Sequence, residues 1–223
     1  TRVLVPPTWL TGPRYALLAP AYRGAPRCVL RAEVRSIGIF LGGTDPGGAS
    51  AHVVRTCRAA GFGGPLEGVS TSASPHLTDL QRACTADPDT TLTLDEPDLA
   101  AFFARHDLQI GAGGGATWER CCIGTPTIAL VLAANQAVAV PALDHLGALR
   151  AARLDGAPDT ADLPTLSDAL LQLLPDAAER AAMGQRAANL VDGRGAQRVA
   201  LSLLGGQLQL RPATLDDAPL LHG

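Results

Sequence analysis

From Ile37 onward, short apolar runs alternate with stretches whose apolar residues recur at helical spacing. Ile37 to Leu41 is β-branched and apolar, a strand that ends at Gly42-Gly43-Thr44-Asp45-Pro46. A helix follows over about Ala49 to Ala60, with Val53, Val54 and Cys57 on one side. The same alternation predicts strands at Pro65–Val69, Thr90–Leu94, Leu108–Ile110, Thr127–Val131 and Leu149–Leu154. Helices are predicted at Leu77–Ala86, Asp98–His106, Thr117–Ile123, Ala161–Leu174, Asp176–Leu190 and Ala196–Leu204, and Ala134-Asn135-Gln136 leads into a further apolar helix up to about Leu146. Gly124 closes the helix that starts at Thr117, and Pro126 opens the next strand.

Strand and helix in strict alternation call for an α/β fold, a Rossmann-like parallel sheet with helices on both faces. Ligands of such sheets sit beyond the carboxyl ends of the strands. Two glycine turns, Gly42-Gly43-Thr44 and Gly111 to Gly115, lie at such ends. Glycine lets the backbone approach a ligand closely, and the open N–H groups at the helix start suit a phosphate. Asp45 either fixes its turn or touches the ligand. Thr1 to Ala32 carries several prolines without helical periodicity and is expected to be extended, with one turn. The expected organisation is a linker over 1–34 from a missing amino-terminal domain, a ligand-binding domain over 35–204, and a new segment over 205–223.

Composition narrows the function. Of the 223 residues, 47% are hydrophobic and 17% charged, which fits a folded, soluble protein. No apolar run approaches the ~20 residues of a membrane span. The net charge of −3 gives no electrostatic case for nucleic acid. All 18 basic residues are arginine, so a Walker-type phosphate loop, which needs lysine, is excluded. The five cysteines form no C-x-x-C pair and read as buried apolar groups in a reducing, cytoplasmic setting. The histidines show no metal spacing, and neither a metal nor a cofactor is expected. Thr1 is not an initiator Met, so the chain is expected to begin inside a longer gene product.

Several motifs fall in order along the chain: Gly12-Pro13-Arg14-Tyr15-Ala16-Leu17-Leu18, Leu41 to Pro46, Gly111 to Pro126, Asn135-Gln136, and Val191 to Ala196. Together they resemble the carboxyl-terminal half of the UDP-2,4-diacetamido-2,4,6-trideoxy-β-L-altropyranose hydrolases of pseudaminic acid biosynthesis, over about Gly12 to Leu204. The resemblance implies a GT-B carboxyl-terminal domain that binds a UDP-sugar or UDP. It also implies a hydrolysis that releases UDP and free sugar, with the catalytic histidine on an amino-terminal domain absent from this sequence.

On that resemblance Gly113, Gly114, Gly115, Ala116 and Thr117 face the pyrophosphate, and Glu119 accepts the ribose hydroxyls. Gly42, Gly43 and Thr44 face the phosphates or the sugar, while Asn135 and Gln136 read sugar substituents. Trp118 either packs or stacks on the ligand. The tail from Leu210 to Asp217 is similar to the opening of a GNAT acetyltransferase domain, possible as a fused partner. Two alternatives stay open: a GT-B glycosyltransferase using a UDP-sugar donor, and a non-catalytic module that binds UDP-sugar.

Overall fold

A computed structural model describes residues 9–157 and 162–205 of the chain. The apolar runs become β1 (Ile37–Phe40), β2 (Leu66–Ser70), β3 (Thr90–Leu94), β4 (Leu108–Ala112), β5 (Thr127–Leu130) and β6 (Arg150–Ala152). They form one six-stranded sheet in the order β3-β2-β1-β4-β5-β6, with every pairing parallel. The central strands β1, β4 and β5 are mostly apolar because both faces of a parallel sheet are covered, with Gln109 and Thr127 as buried polar exceptions.

Alternate residues of each strand point to opposite faces, and the core divides accordingly. Ile37, Ile39, Leu66, Leu108, Ile110, Ile128 and Leu130 share one core with α2 (Ala49–Ala59), α3 (Leu77–Thr85) and α7 (Leu166–Leu173). Phe40, Val69, Ala129 and Ala151 share the other with α4 (Leu99–Arg105), α5 (Ala116–Ile123) and α6 (Ala139–His145). Two last helices, α8 (Ala177–Leu190) and α9 (Gly195–Leu204), complete the described chain, and α8 packs on α5. The Rossmann-like expectation holds.

Three local expectations change. The stretch from 9 to 34 is not simply extended: Pro13–Tyr15 forms a 3-10 turn, and α1 (Ala21–Gly24) is a one-turn helix. Leu18 and Tyr22 are buried there, because both pack into the core beneath α5. The Cys28 amide then donates to the Ile123 carbonyl at 3.0 Å, which pins this stretch to the end of α5. The helix expected from Ala161 begins at Leu166 instead, since Thr165 and Asp168 form a reciprocal capping box. Before α6, Ala134–Gln136 forms a 3-10 turn, and the helix itself starts at Ala139. The expected acetyltransferase-like segment lies outside the described residues, as does the start of the chain through Thr8.

At the amino ends of the strands, Glu67 of β2 accepts from Arg105 Nε and Nη2 at 3.0 and 2.6 Å and from Thr93 Oγ1 at 2.8 Å. His106 Nε2 lies 2.9 Å from the same carboxylate. Burial alone would raise the Glu67 pKa, but the bonds from His106, Arg105 and Thr93 outweigh it and hold the carboxyl below the usual range. A carboxylate depressed in the folded state adds stability above its unfolded value of about 4.3, and that stability is lost as pH falls below it. Urea midpoints measured between pH 6 and 3 should therefore fall less steeply for Glu67→Gln than for the parent chain. Parallel curves would show that this network does not set the acid limb.

Candidate functional site

The chain leaves β1 toward β2 and β3, then returns to lay β4 on the other side of β1. The order reverses between β1 and β4, where Phe40 stands opposite Gly111. At such a reversal the two following loops diverge and leave a crevice beyond the strand ends. Both glycine turns open onto it.

The turn after β4 is the more open of the two. β4 runs on to Ala112, so the turn proper is Gly113 to Gly115. The Gly113 amide is used within the sheet, donating to the Leu130 carbonyl at 3.0 Å. Thr117 and Trp118 donate to the Gly114 and Gly115 carbonyls at 3.0 and 3.1 Å. The N–H groups of Gly114, Gly115 and Ala116 have no partner among the described residues, and no side chain caps α5. Those free donors sit at the positive end of the helix. Gly113 must be glycine for packing reasons: a Cβ there would lie 2.2 Å from Val140 Cγ2 and 3.2 Å from Gln136 Cβ.

The β1 turn is arranged differently. Asp45, 4% exposed, accepts from the Ala49 and Ser50 amides at 3.0 and 2.8 Å and so fills the amino end of α2. It fixes the turn and sets its own negative charge at the amino end of α2. Gly42 adopts φ 101°, a conformation that favours glycine. The Gly43 carbonyl is held by Thr71 Oγ1 at 2.6 Å and the Thr44 carbonyl by Ser74 Oγ at 3.1 Å. The Thr44 side chain is exposed at the rim.

Asn135 and Gln136 follow β5 in the 3-10 turn. Gln136 lies against Gly113 and accepts the Leu132 amide at 2.8 Å, which leaves its NH2 group available. Asn135 is exposed and does not cap the helix. Trp118 packs on the α5 core.

Glu119 occupies the first turn of α5 and is half-buried. Tyr22 of α1 stands beside it. Burial raises the Glu119 pKa, and the Tyr22 hydroxyl opposes that rise by donating to the carboxylate. Burial and the Glu119 charge together push the Tyr22 phenol well above its ordinary value. A tyrosine from the stretch expected to be a linker thus positions the carboxylate nearest the open helix end.

Thr117 and Arg120 support the turn from behind. Thr117, 2% exposed, donates its hydroxyl to the Ala112 carbonyl at 3.3 Å, so its side chain faces inward and not into the crevice. Arg120, 1% exposed, donates through Nη2 to the Ala112 carbonyl at 2.8 Å and to Thr117 Oγ1 at 3.2 Å. Its inward position has a sequence signal, because Thr117, Arg120, Cys121 and Gly124 share one helical face.

No protein-family model matches the chain. It is similar to the spore coat polysaccharide biosynthesis protein SpsG of Bacillus subtilis, 29% identical over 195 residues, which cover 84% of this chain and 56% of that protein. The solved structure of Acinetobacter baumannii MurG matches with a TM-score of 0.59 at 16% identity, over 78% of this chain and 51% of that one. The UDP-GlcNAc 2-epimerase of Neisseria meningitidis, solved bound to UDP-GlcNAc, matches with a TM-score of 0.59 at 13% identity, over 77% of this chain and 45% of that one. The fold is the Rossmann-like domain of GT-B enzymes. The chain spans about half the length of the relatives it matches.

Proposed function

We propose that this chain is the UDP-binding half of an enzyme that hydrolyses a UDP-sugar at the anomeric carbon. The observation that carries this reading is the open amino end of α5 at the strand reversal, with Glu119 on its first turn. The N–H groups of Gly114, Gly115 and Ala116 receive the pyrophosphate, and Glu119 accepts the ribose hydroxyls. Gly42, Gly43 and Thr44 border the phosphates, while Asn135 and the free amide of Gln136 meet the sugar. The similarity to SpsG and the fold shared with a UDP-GlcNAc-bound epimerase support a sugar nucleotide as ligand. The motifs shared with the pseudaminic acid hydrolases favour a diacetamido trideoxyhexose.

In the reaction the bond between the anomeric carbon and the phosphate oxygen breaks, its electron pair leaving with UDP. Water supplies the new C–O bond. The helix end stabilises the charge that develops on the leaving diphosphate. A histidine from an amino-terminal domain outside this chain completes the site, so the chain alone binds UDP without turnover.

Calorimetry of UDP on the purified chain tests the binding, and no measurable heat or saturation would sink the reading. The full gene product, given UDP-sugar and no acceptor, should release UDP together with free reducing sugar. A requirement for an acceptor would identify a transferase instead.

Tyr22 gives this reading a pH signature. Glu119 accepts both hydroxyls only when ionised, and Tyr22 opposes the rise in its pKa. In Tyr22→Phe the pKa rises further, so UDP affinity should begin to fall at a higher pH than in the parent chain as the solution is acidified. The ionisation of UDP itself is common to both proteins. Identical pH profiles would show that Tyr22 does not tune Glu119.

A further inference from the structure

Arg120 is a charged group buried without an ion-pair partner among the described residues. Its Nε and Nη1 have no hydrogen-bond partner, and among the described residues no carboxylate pairs with it. Phe103 lies on one side, with the guanidinium carbon 5.8 Å from the ring centroid. The backbone of β4 lies on the other: a Cβ on Gly111 would fall 2.1 Å from Nη1. Glu119, its neighbour in sequence, attracts it through space but is engaged with Tyr22 and makes no ion pair with it. Burial lowers the Arg120 pKa to about 10, still far above neutrality, so the charge persists.

Leaving a buried charge unpaired is costly, and structures retain one where something else supplies the opposite charge. Resting on the UDP reading above, we propose that the diphosphate bound at the Gly113–Ala116 turn is the counter-charge of Arg120, which acts from behind the backbone as a positioning residue. It would do so in two ways: Nη2 fixes the Ala112 carbonyl and Thr117, which aims the N–H groups of the turn outward, and the buried positive charge adds to the field of the helix end. No direct contact with the ligand is needed.

The proposal predicts an inverse relation between stability and binding. In Arg120→Met the melting temperature without ligand should equal or exceed that of the parent, because an unpaired charge leaves the core. UDP affinity should fall by about tenfold or more, while uridine, which has no phosphate, should lose little. Arg120→Lys, which keeps the charge and loses the planar fork, should retain more UDP affinity than Arg120→Met. Should Arg120→Met fail to fold, Arg120→Gln against Arg120→Lys carries the same contrast between neutral and charged side chains.

A purely structural arginine would give a lower melting temperature and equal losses for UDP and uridine, which would overturn the proposal. Unchanged UDP binding in the neutral variant would overturn it as well. If the parent chain itself fails to bind UDP, the nucleotide reading falls first, so the two failures are distinguishable.

Discussion

Replacing Arg180 by methionine is expected to destabilise the folded chain by about 3 kcal/mol or more, since hydrogen bonds to a charged group contribute about 1.5–3 kcal/mol and buried carbonyls left without donors cost about 1–3 kcal/mol. Arg180 lies in α8 and is 2% exposed. Its Nη1 donates to the Leu173 and Leu174 carbonyls at 2.6 and 2.7 Å, and its Nη2 to the Ala32 and Arg31 carbonyls at 2.6 and 3.4 Å. The first pair belongs to the end of α7, whose last carbonyls have no partner within the helix. The second pair belongs to the stretch that leads into β1. A further anchor lies close by: Asp107 accepts from Arg31 at 2.6 Å and from the Arg35 and Ser36 amides at 2.8 and 3.2 Å.

Methionine fills the arginine stem but offers no donor. Lysine offers donors from a single point and cannot span both pairs of carbonyls in the way a planar fork can. Urea unfolding should therefore rank the variants parent, Lys, Met in falling stability. A loss under about 1 kcal/mol for Arg180→Met would mean that the carbonyls find water or other donors.

Much of this architecture is legible in the chain because a parallel sheet buried on both faces leaves continuous apolar runs. Thr90–Leu94 is predicted with the bounds that it has in β3, and the glycine turns mark the reversal between β1 and β4. Other features are hidden for identifiable reasons. The start of α7 depends on the Thr165–Asp168 capping box, a polar signal that the apolar pattern around it overrides. Tyr22 sits among prolines without periodicity, so nothing local announces that it folds back onto α5 nearly a hundred positions on. The sequence assigns Arg120 no role, and only its place between Thr117 and Gly124 on one helical face signals that it points inward. Asp45 leaves two uses open in the sequence; the geometry of the α2 amides decides for the turn.

Glu119→Ala is expected to weaken UDP binding by about 10- to 150-fold, the equivalent of losing a hydrogen bond to a charged group. The size of the loss follows from where the carboxylate stands. It is half-buried beside the free N–H groups of Gly114, Gly115 and Ala116 and is steadied by Tyr22, so it is partly desolvated and held in place before the ligand arrives. Little ordering cost then remains to offset the new bonds.

A carboxylate that only complemented the helix dipole would contribute about 0.3–1 kcal/mol to folding and nothing specific to ribose. Comparing UDP with 2′-deoxy-UDP separates these roles. If Glu119 bonds the ribose, the parent chain should prefer UDP and Glu119→Ala should lose that preference along with the affinity. If the variant binds UDP as tightly as the parent by calorimetry, the ribose assignment is wrong and Glu119 belongs to the helix alone. Retained discrimination with lower affinity would place the ribose contact on another residue. The Arg120 proposal would be unaffected by that result, because it concerns the phosphates and not the sugar of the nucleotide.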